Sequence, residues 1–411
     1  MADRHVAYAL IGGGQACGNC ARWLREQGAD GEILLIGREP DPPYYRPDCS
    51  KDYLRGEKPR SETMFRAPEW YAEQQVELLT KVSVIDVDVS ERLLSLSNRQ
   101  KVSFDKALIA TGANVRRLNV PGCELEGIFY LRTLGNSEAI REGAAGKRVV
   151  LIGGSFIGCE VAASLTELGS QCAIVMLERV ALSGVFGESA GHFFQDRLED
   201  HGIKVYGEDA LERFEGADGR VTTVITQDGL ELEADAVIVG AGVVPDVMLA
   251  KRAGLELGER GGVLADSRLA TSVPGIYVGG DMAEYESVIH GRNLRVEHWD
   301  VAFNHGKTAA LNMLGADQPH EVVPYFFSDL SDWASLEYVG PAARWDREIV
   351  RGSLDDGQFS IFYLDGGRVA AVLAVGRSED IEHGRRLISE GVELGETAER
   401  LGELSADLAE L

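Results

Sequence analysis

Apolar and polar positions near the start of the chain predict a strand, a helix and a second strand. The apolar run AYALI leads into the glycine-rich stretch GGGQACGNC, residues 12–20. A helical stretch, ACGNCARWLREQG, follows, and EILLIGRE then predicts a buried strand that ends at Glu39. The pattern is therefore a strand, a glycine-rich loop, a helix and a strand.

The same pattern returns at residues 147–160, KRVVLIGGSFIGCE. A strand at 148–152 leads into a second glycine-rich loop, the helix CEVAASLTELG and a strand, CAIVMLE, that ends near Glu178. Further buried strands run into small residues in KALIATGA (106–113), AVIVGAGVVPD (236–246) and TSVPGIYVGGDMAE (271–284). Strands alternating with helices predict an α/β fold with parallel sheets.

The spacing of the glycines indicates two dinucleotide sites. Gly12 would make the tight turn, and Gly14 would let the backbone approach a pyrophosphate at the start of the helix, where free N–H groups favour an anion. Glu39 lies 27 residues after Gly12, and such sites carry an acid roughly 20 residues on that binds the ribose. In the second loop Ser155 stands where the second glycine is expected, and its side chain would crowd the phosphate.

Composition narrows the classes of function. The chain has 411 residues, enough for about two or three domains. Its formal net charge of −25 argues against binding nucleic acid or an anionic membrane surface. The apolar runs are too short for a signal peptide or a membrane span, so we expect a cytoplasmic protein whose six cysteines are reduced.

The pair Cys17 and Cys20 has three interpretations: a metal site, a redox disulfide or simple packing. A zinc site needs a second pair of ligands, and no matching CxxC or HxxxH motif occurs in the sequence. A redox pair of the thioredoxin type would not follow a phosphate-binding loop. We therefore favour packing and expect no metal.

Eight motifs in this order resemble the FAD-dependent pyridine nucleotide oxidoreductases, in particular their ferredoxin-reductase branch. They are GGGQA, YYRPDCSKDYL (44–54), ATG (110–112), FYLRTL (129–134), GGSFIGCE (153–160), GIYVGGD (275–281), VEHW (296–299) and PYFFSD (324–329). The resemblance implies two nested Rossmann-like domains and a C-terminal α+β domain. We expect an FAD domain at 1–116 and 246–322, an NAD(P)H domain at 117–245 and the last domain at 323–411.

The resemblance also implies the residues of each site. Those expected to contact FAD are Gly12, Gly14, Gln15, Ala16, Glu39, Arg46, Lys51, Val82, Ala110, Thr111, Gly112, Arg132, Gly280, Asp281, His298 and Trp299. Those expected to contact the nicotinamide nucleotide are Gly153, Ser155, Ile157, Gly158, Glu160, Glu178 and Gly242.

Three of these side chains are expected to act in the reaction. Lys51 is implied to lie close to the flavin and to pair with Glu160 across the interface of the two nucleotide domains. A cation there stabilises the reduced ring, and the carboxylate keeps the lysine charged and oriented. Trp299 is implied to lie beside the flavin and the nicotinamide. Glu178 would repel the 2′-phosphate of NADPH and Arg179 would attract it; we favour NADH.

The implied activity is that of a ferredoxin–NAD(+) reductase. NADH would reduce FAD, which would pass electrons singly to a [2Fe–2S] ferredoxin, and the enzyme would be a monomer or homodimer. One alternative is an NADH oxidase or a disulfide or peroxide reductase that uses Cys49, two residues before Lys51. Another is a redox-responsive NADH-binding protein resembling apoptosis-inducing factor.

The docking of an acidic ferredoxin calls for basic residues. The segment 323–411 has 18 acidic residues against 8 arginines. Four of those arginines are candidates for a basic docking cluster: Arg344, Arg347, Arg351 and Arg377.

Overall fold

Residues 2–411 are described by the structure, a computed structural model. They form two compact units, each built from three segments of the chain. The first unit contains residues up to Tyr45, Thr63–Asn114 and Val244–Tyr325. The second contains Arg46–Glu62, Val115–Val243 and Phe326–Leu411. Residues 46–62, which include Lys51, thus belong to the same unit as Glu160.

The described residues contain 25 strands and ten α-helices. The strands are β1 (Arg4–Ile11), β2 (Ile33–Ile36), β3 (Val76–Leu79), β4 (Val84–Asp88), β5 (Leu93–Leu96), β6 (Lys101–Ile109), β7 (Ala113–Val115), β8 (Ile128–Tyr130), β9 (Arg148–Ile152), β10 (Gln171–Val175), β11 (Lys204–Tyr206), β12 (Leu211–Ala217), β13 (Arg220–Thr226), β14 (Glu231–Glu233), β15 (Ala236–Val239), β16 (Val243–Pro245), β17 (Val263–Ala265), β18 (Ile276–Val278), β19 (Ala283–Ser287), β20 (Arg292–Leu294), β21 (Tyr325–Leu330), β22 (Ala334–Val339), β23 (Arg347–Ser353), β24 (Gln358–Asp365) and β25 (Arg368–Val375). The helices are α1 (Gln15–Glu26), α2 (Asp52–Arg55), α3 (Arg60–Thr63), α4 (Pro68–Glu73), α5 (Leu134–Ala144), α6 (Phe156–Glu167), α7 (Ser183–Asp200), α8 (Met248–Arg252), α9 (Trp299–Met313) and α10 (Ser378–Glu390).

The first unit is built on a seven-stranded sheet in the order β3-β2-β1-β6-β5-β4, with β18 also paired to β6. β1 lies between β2 and β6 and is parallel to both. All four residues of β2 are buried, as expected for a parallel strand that is covered on both faces. Helices α1 and α9 pack closely together. A Cβ at Gly306 on α9 would overlap the carbonyl oxygen of Ala16 on α1, so this contact requires glycine.

The second unit contains a parallel sheet in the order β11-β10-β9-β15-β8. A three-stranded sheet, β12-β13-β14, is antiparallel, and the C-terminal sheet has the order β21-β22-β25-β24-β23. Helix α10 packs on that last sheet, where Gly384 leaves room for Val372. The predicted α/β class with two Rossmann-like sheets and a C-terminal α+β region is confirmed.

Within residues 2–411, no helix is long and apolar enough to cross a membrane. The six cysteines are all free.

Candidate functional site

The first glycine loop, residues 12–14, connects β1 to α1 in the first unit. Gly12 has φ = +138°, and a Cβ on it would overlap the carbonyl oxygen of Ala110. Its N–H donates to the carbonyl of Ile36 at 2.9 Å. The turn at this position therefore requires glycine for both its backbone conformation and the close approach of β6.

The loop leaves space and hydrogen-bond donors at the start of α1. No atom lies within 4 Å of the place where a Cβ on Gly14 would stand. Gly14 caps α1 without a side-chain hydrogen bond, and the helix has no acidic residue in its opening turn. An uncapped helix N-terminus offers N–H groups and a positive dipole end to an anion.

Gln15 places an unpartnered acceptor beside this loop. The side chain is buried, and its Nε2 lies 3.5 Å from the carbonyl oxygen of Tyr44. Its Oε1 is buried without a hydrogen-bond partner, which is uncommon in native proteins and is explained by a ligand that donates to it.

Glu39 follows β2 and is half-buried. The hydroxyl of Tyr44 donates to Glu39 Oε2 at 2.6 Å and orients the carboxylate. Glu39 therefore stands at the carboxyl end of the strand adjacent to the loop, where dinucleotide-binding folds hold a ribose.

The remaining predicted residues of this unit also follow strand ends. The N–H of Val82 donates to Gly37 O at 3.1 Å. Ala110, Thr111 and Gly112 come directly after β6, and the Thr111 hydroxyl donates to Asp246 O at 2.6 Å. Gly280 and Asp281 follow β18, and the Gly280 N–H donates to Nδ1 of the buried His305 at 3.1 Å.

Trp299 opens α9 within an aromatic group of the same unit. Its ring centroid lies 6.2 Å from that of Tyr45 and 6.2 Å from that of Phe303, and Phe65 contacts both of those residues. Desolvation lowers the pKa of His298 to about 4, while Asp281 acts in the opposite direction. Of these four aromatic residues the sequence assigned a role only to Trp299; Tyr45 lies in the motif YYRPDCSKDYL without an assigned role, and Phe65 and Phe303 lie in no motif.

These features fit the adenosine diphosphate part of FAD. The loop supplies open space at Gly14, the helix supplies N–H donors, Gln15 supplies an acceptor and Glu39 supplies an oriented carboxylate. The first glycine loop, Gln15 and Glu39 are therefore the candidate dinucleotide site of the first unit.

The second glycine loop, residues 153–155, connects β9 to α6 in the second unit. Gly153 has φ = +111°, and a Cβ there would lie against the carbonyl oxygen of Gly240. A Cβ on Gly158 would overlap the carbonyl oxygen of Gly153, so glycine is needed for the close approach of helix and loop. Ser155 caps α6 without a side-chain hydrogen bond and no acid occupies the opening turn.

The strand next to this loop ends differently from its counterpart. β10 ends at Val175, and the buried Met176 places its sulfur against Gly154. Glu178 is exposed, and Arg179 lies 3.8 Å from Glu188. The structure therefore puts a thioether, and not a carboxylate, beside the second loop.

The other predicted residues of the second unit lie around the same sheet. Ile157 is exposed in the opening turn of α6, and Gly242 has open space at its Cβ position. Arg46 donates to the carbonyl oxygen of Arg132.

Lys51 and Glu160 form a buried ion pair, as the resemblance implied, but both belong to the second unit and not to two different domains. Lys51 Nζ lies 2.9 Å from Glu160 Oε1, and both side chains are more than nine-tenths buried. Two hydroxyls donate to the same carboxylate at 2.5 Å: Ser50 Oγ to Oε2 and Ser328 Oγ to Oε1. Asp329 Oδ2 lies 3.1 Å from the ammonium. We call Lys51, Glu160 and Asp329 the Lys51 cluster.

The cysteines have no arrangement typical of a metal site. Cys17 and Cys20 are fully buried in α1, and burial raises the pKa of both thiols. Cys49 is also buried, in a short 3₁₀ turn at Arg46–Ser50. Across residues 2–411, no group of three or more His, Cys, Asp or Glu side chains is placed to hold a metal ion.

Each of the four C-terminal arginines lies beside a carboxylate, and Arg344 is the most exposed of them. Arg351 is buried and lies 3.5 Å from Asp380, which also contacts Arg377 at 2.7 Å. Arg347 pairs with Glu399, and Arg344 lies 3.3 Å from Asp365. Each arginine is thus engaged by a carboxylate of the same region.

Known families match nearly the whole chain. The pyridine nucleotide-disulphide oxidoreductase family matches residues 6–306, and the reductase C-terminal family matches residues 325–411. The ferredoxin reductase subunit of 5,5′-dehydrodivanillate O-demethylase from Sphingobium sp. is 34% identical over 99% of this chain and 98% of that protein. Rhodocoxin reductase from Rhodococcus erythropolis is 31% identical over 98% of this chain and 93% of its own length.

Solved structures agree with these matches. The ferredoxin reductase for the CYP199A2 system from Rhodopseudomonas palustris has a TM-score of 0.94 and 33% identity, covering 98% of this chain and 99% of that one. The covalent putidaredoxin reductase–putidaredoxin complex gives a TM-score of 0.92 and 32% identity, covering 100% of this chain and 98% of that one.

Proposed function

The chain belongs to the pyridine nucleotide-disulphide oxidoreductase family, and on that basis we propose that it is a flavoprotein reductase that takes electrons from NADH and gives them to a [2Fe–2S] ferredoxin of an oxygenase system. Enzymes of this family use FAD and NAD(P)H. One observation carries the proposal: the chain contains two glycine-rich loops, each at the carboxyl end of a parallel strand. Each loop leads into a helix whose N-terminus has no side-chain cap.

The first unit is proposed to hold FAD, and the second to hold the nicotinamide nucleotide. FAD, when bound, accepts a hydride and releases electrons one at a time. Glu39 would accept hydrogen bonds from the ribose, and the amides at the start of α1 would bind the pyrophosphate. Lys51 would supply a fixed positive charge, since Glu160 and its two serine hydroxyls hold the ammonium in place.

We propose NADH as the preferred donor. The exposed carboxylate of Glu178 adds negative charge after β10, and Arg179 is paired with Glu188 at 3.8 Å. Both features disfavour a 2′-phosphate. The substitution Glu178→Gln should raise kcat/KM for NADPH relative to NADH about tenfold, and Arg179→Gln should lower that ratio; equal ratios in both variants would contradict the assignment.

The names of the relatives support a ferredoxin as the electron acceptor. Proteins alike over nearly the full length are named as ferredoxin reductases, and one is solved bound to putidaredoxin. Because the four C-terminal arginines are engaged and the net charge is −25, we expect docking to depend little on long-range attraction. Ferredoxin reduction should then not slow markedly as salt is raised.

The deciding experiment is an anaerobic titration of the purified protein. Flavin absorbance that NADH bleaches, followed by reduction of an added [2Fe–2S] ferredoxin, supports the proposal. A protein that takes up no FAD on reconstitution contradicts it. Rapid reduction of oxygen or disulfides in place of ferredoxin would favour the Cys49 alternative, and Cys49→Ser would then abolish turnover. We further propose a cytoplasmic location, where six free cysteines stay reduced.

A further inference from the structure

Two carboxylates hold Lys51, whereas the sequence indicated one. Glu160 comes from α6 and Asp329 from β21, and their oxygens lie 2.9 Å and 3.1 Å from Lys51 Nζ. The ammonium also lies 3.4 Å from the backbone carbonyl oxygen of Asp329. A residue of the C-terminal segment therefore forms an ion pair with Lys51, the lysine that the family resemblance places near the flavin.

The two carboxylates differ in what stabilises their charge. Glu160 accepts hydrogen bonds from Ser50 and Ser328 at 2.5 Å each, in addition to the lysine. Such donors stabilise an ionised carboxylate. Burial raises the pKa of Asp329, Lys51 opposes the shift, and Glu160 adds to it. Asp329 is therefore the carboxylate of the cluster that burial pushes toward its protonated form.

The charges around Asp329 leave the cluster negative. Lys51 provides one positive charge against two carboxylates, so the Lys51 cluster carries −1 when both are ionised and zero when Asp329 is protonated. Arg55 is the other cation whose charge acts on Asp329. That arginine is paired with Asp52 at 2.5 Å and Glu57 at 2.8 Å.

We propose that Asp329 is a positioning residue for Lys51 that also sets the charge of the Lys51 cluster, and that proton binding at Asp329 tunes the reduction potential of the bound flavin. The inference rests on the proposed function, because the flavin's proximity to Lys51 comes from the family. The proton comes from solvent and binds a carboxylate oxygen, so no other bond changes. An ionised Asp329 makes adding electrons nearby less favourable, and its protonation removes that penalty.

The substitution Asp329→Asn removes the negative charge of this side chain and keeps its contact with Lys51. The amide oxygen can still accept from Lys51, but the negative charge is gone. We expect the flavin potential of this variant to be less negative than wild type near pH 8. The difference should shrink as the pH is lowered from 8, because burial raises the pKa of the wild-type carboxyl above its ordinary value and the carboxyl becomes protonated.

The measurement is a spectroelectrochemical titration of the flavin-loaded protein across this pH range. Asp332→Asn is the matched control, since Asp332 is an exposed aspartate three residues after Asp329. The flavin potential of this variant should equal that of the wild type at each pH. Asp329→Glu keeps the charge and should also follow wild type. If Asp329→Asn loads flavin poorly, the comparison of Asp329→Glu with Asp329→Gln replaces it.

Three outcomes overturn the inference. The first is an Asp329→Asn offset that is equal at every pH, and the second is no offset. The third is an Asp329→Glu variant that shifts like Asp329→Asn, which would make geometry and not charge responsible. A wild-type protein that binds no FAD overturns the proposed function instead. Flavin that NADH reduces normally, with unchanged potential in Asp329→Asn, overturns this inference alone.

Discussion

The two glycine loops share a backbone design but differ in the side chains around them. Both follow a parallel strand, need a glycine at positive φ and open an uncapped helix. The first loop has open space at Gly14 and an acid, Glu39, held by Tyr44. The second has Ser155 at the corresponding position and Met176 against the loop. The two loops therefore differ in the side chains that a bound phosphate would meet.

The largest expected effect on cofactor binding is at the first loop. Gly14→Ala should reduce FAD affinity at least about tenfold, because the methyl group enters the space that the pyrophosphate needs. The fold should be unaffected, since that space holds no protein atom within 4 Å. Flavin content and the thermal midpoint of the apoprotein measure the two effects.

Gly12→Ala is the matched comparison. Its Cβ would overlap Ala110, so this variant should lose stability as well as flavin. If Gly14→Ala destabilises the apoprotein as much as Gly12→Ala does, the space at Gly14 belongs to the fold and the comparison of the loops fails.

The stability of the second unit should depend strongly on the buried ion pairs of Lys51. Lys51→Met leaves Glu160 and Asp329 buried without their cation, and breaking a buried ion pair costs about 3–5 kcal/mol. Chemical unfolding measures the loss. Lys58→Met is the control, since its ion pair with Asp48 is less deeply buried than that of Lys51 and Glu160 and its loss should cost less. Equal losses in the two variants would show that burial does not distinguish these pairs.

The first unit should be the acid-sensitive one. Desolvation lowers the pKa of His290, His298 and His320 to about 4, and that of His305 well below its usual value. The unfolded chain therefore binds more protons below about pH 6.5, so stability falls as pH drops from there toward 4. Protonation of His305 would also remove the acceptor of the Gly280 N–H.

Unfolding measured at several pH values checks this expectation. His320→Asn should weaken the pH dependence by up to one proton, because it removes one of the four groups. Stability that is flat between about pH 7 and 5 would contradict the assignment of these histidines as buried neutral groups.

Local patterns predicted the parts of the sites that are local in the chain. The strand–loop–helix units and both positive-φ glycines follow from spacing alone, and Lys51 with Glu160 followed from family motifs. Asp329 ends the motif PYFFSD (324–329), but its contact with Lys51 was not predicted, because the motif does not show that a carboxylate 278 residues away lies beside the lysine. The same reason applies to Asp380, which engages Arg351 and Arg377 and removes them from any docking surface.

The smallest expected effect sharpens the comparison directly. Ser155→Gly makes the second loop resemble the first and should tighten NADH binding severalfold, about 1 kcal/mol, because the side chain no longer crowds the phosphates. Stability should change by only a few tenths of a kcal/mol, since the serine makes no capping hydrogen bond. Gly14→Ser is the reciprocal change and should weaken FAD binding. Calorimetric titration of both variants decides the matter: unchanged affinity for NADH in Ser155→Gly would mean that Met176, and not Ser155, makes the second loop the weaker one.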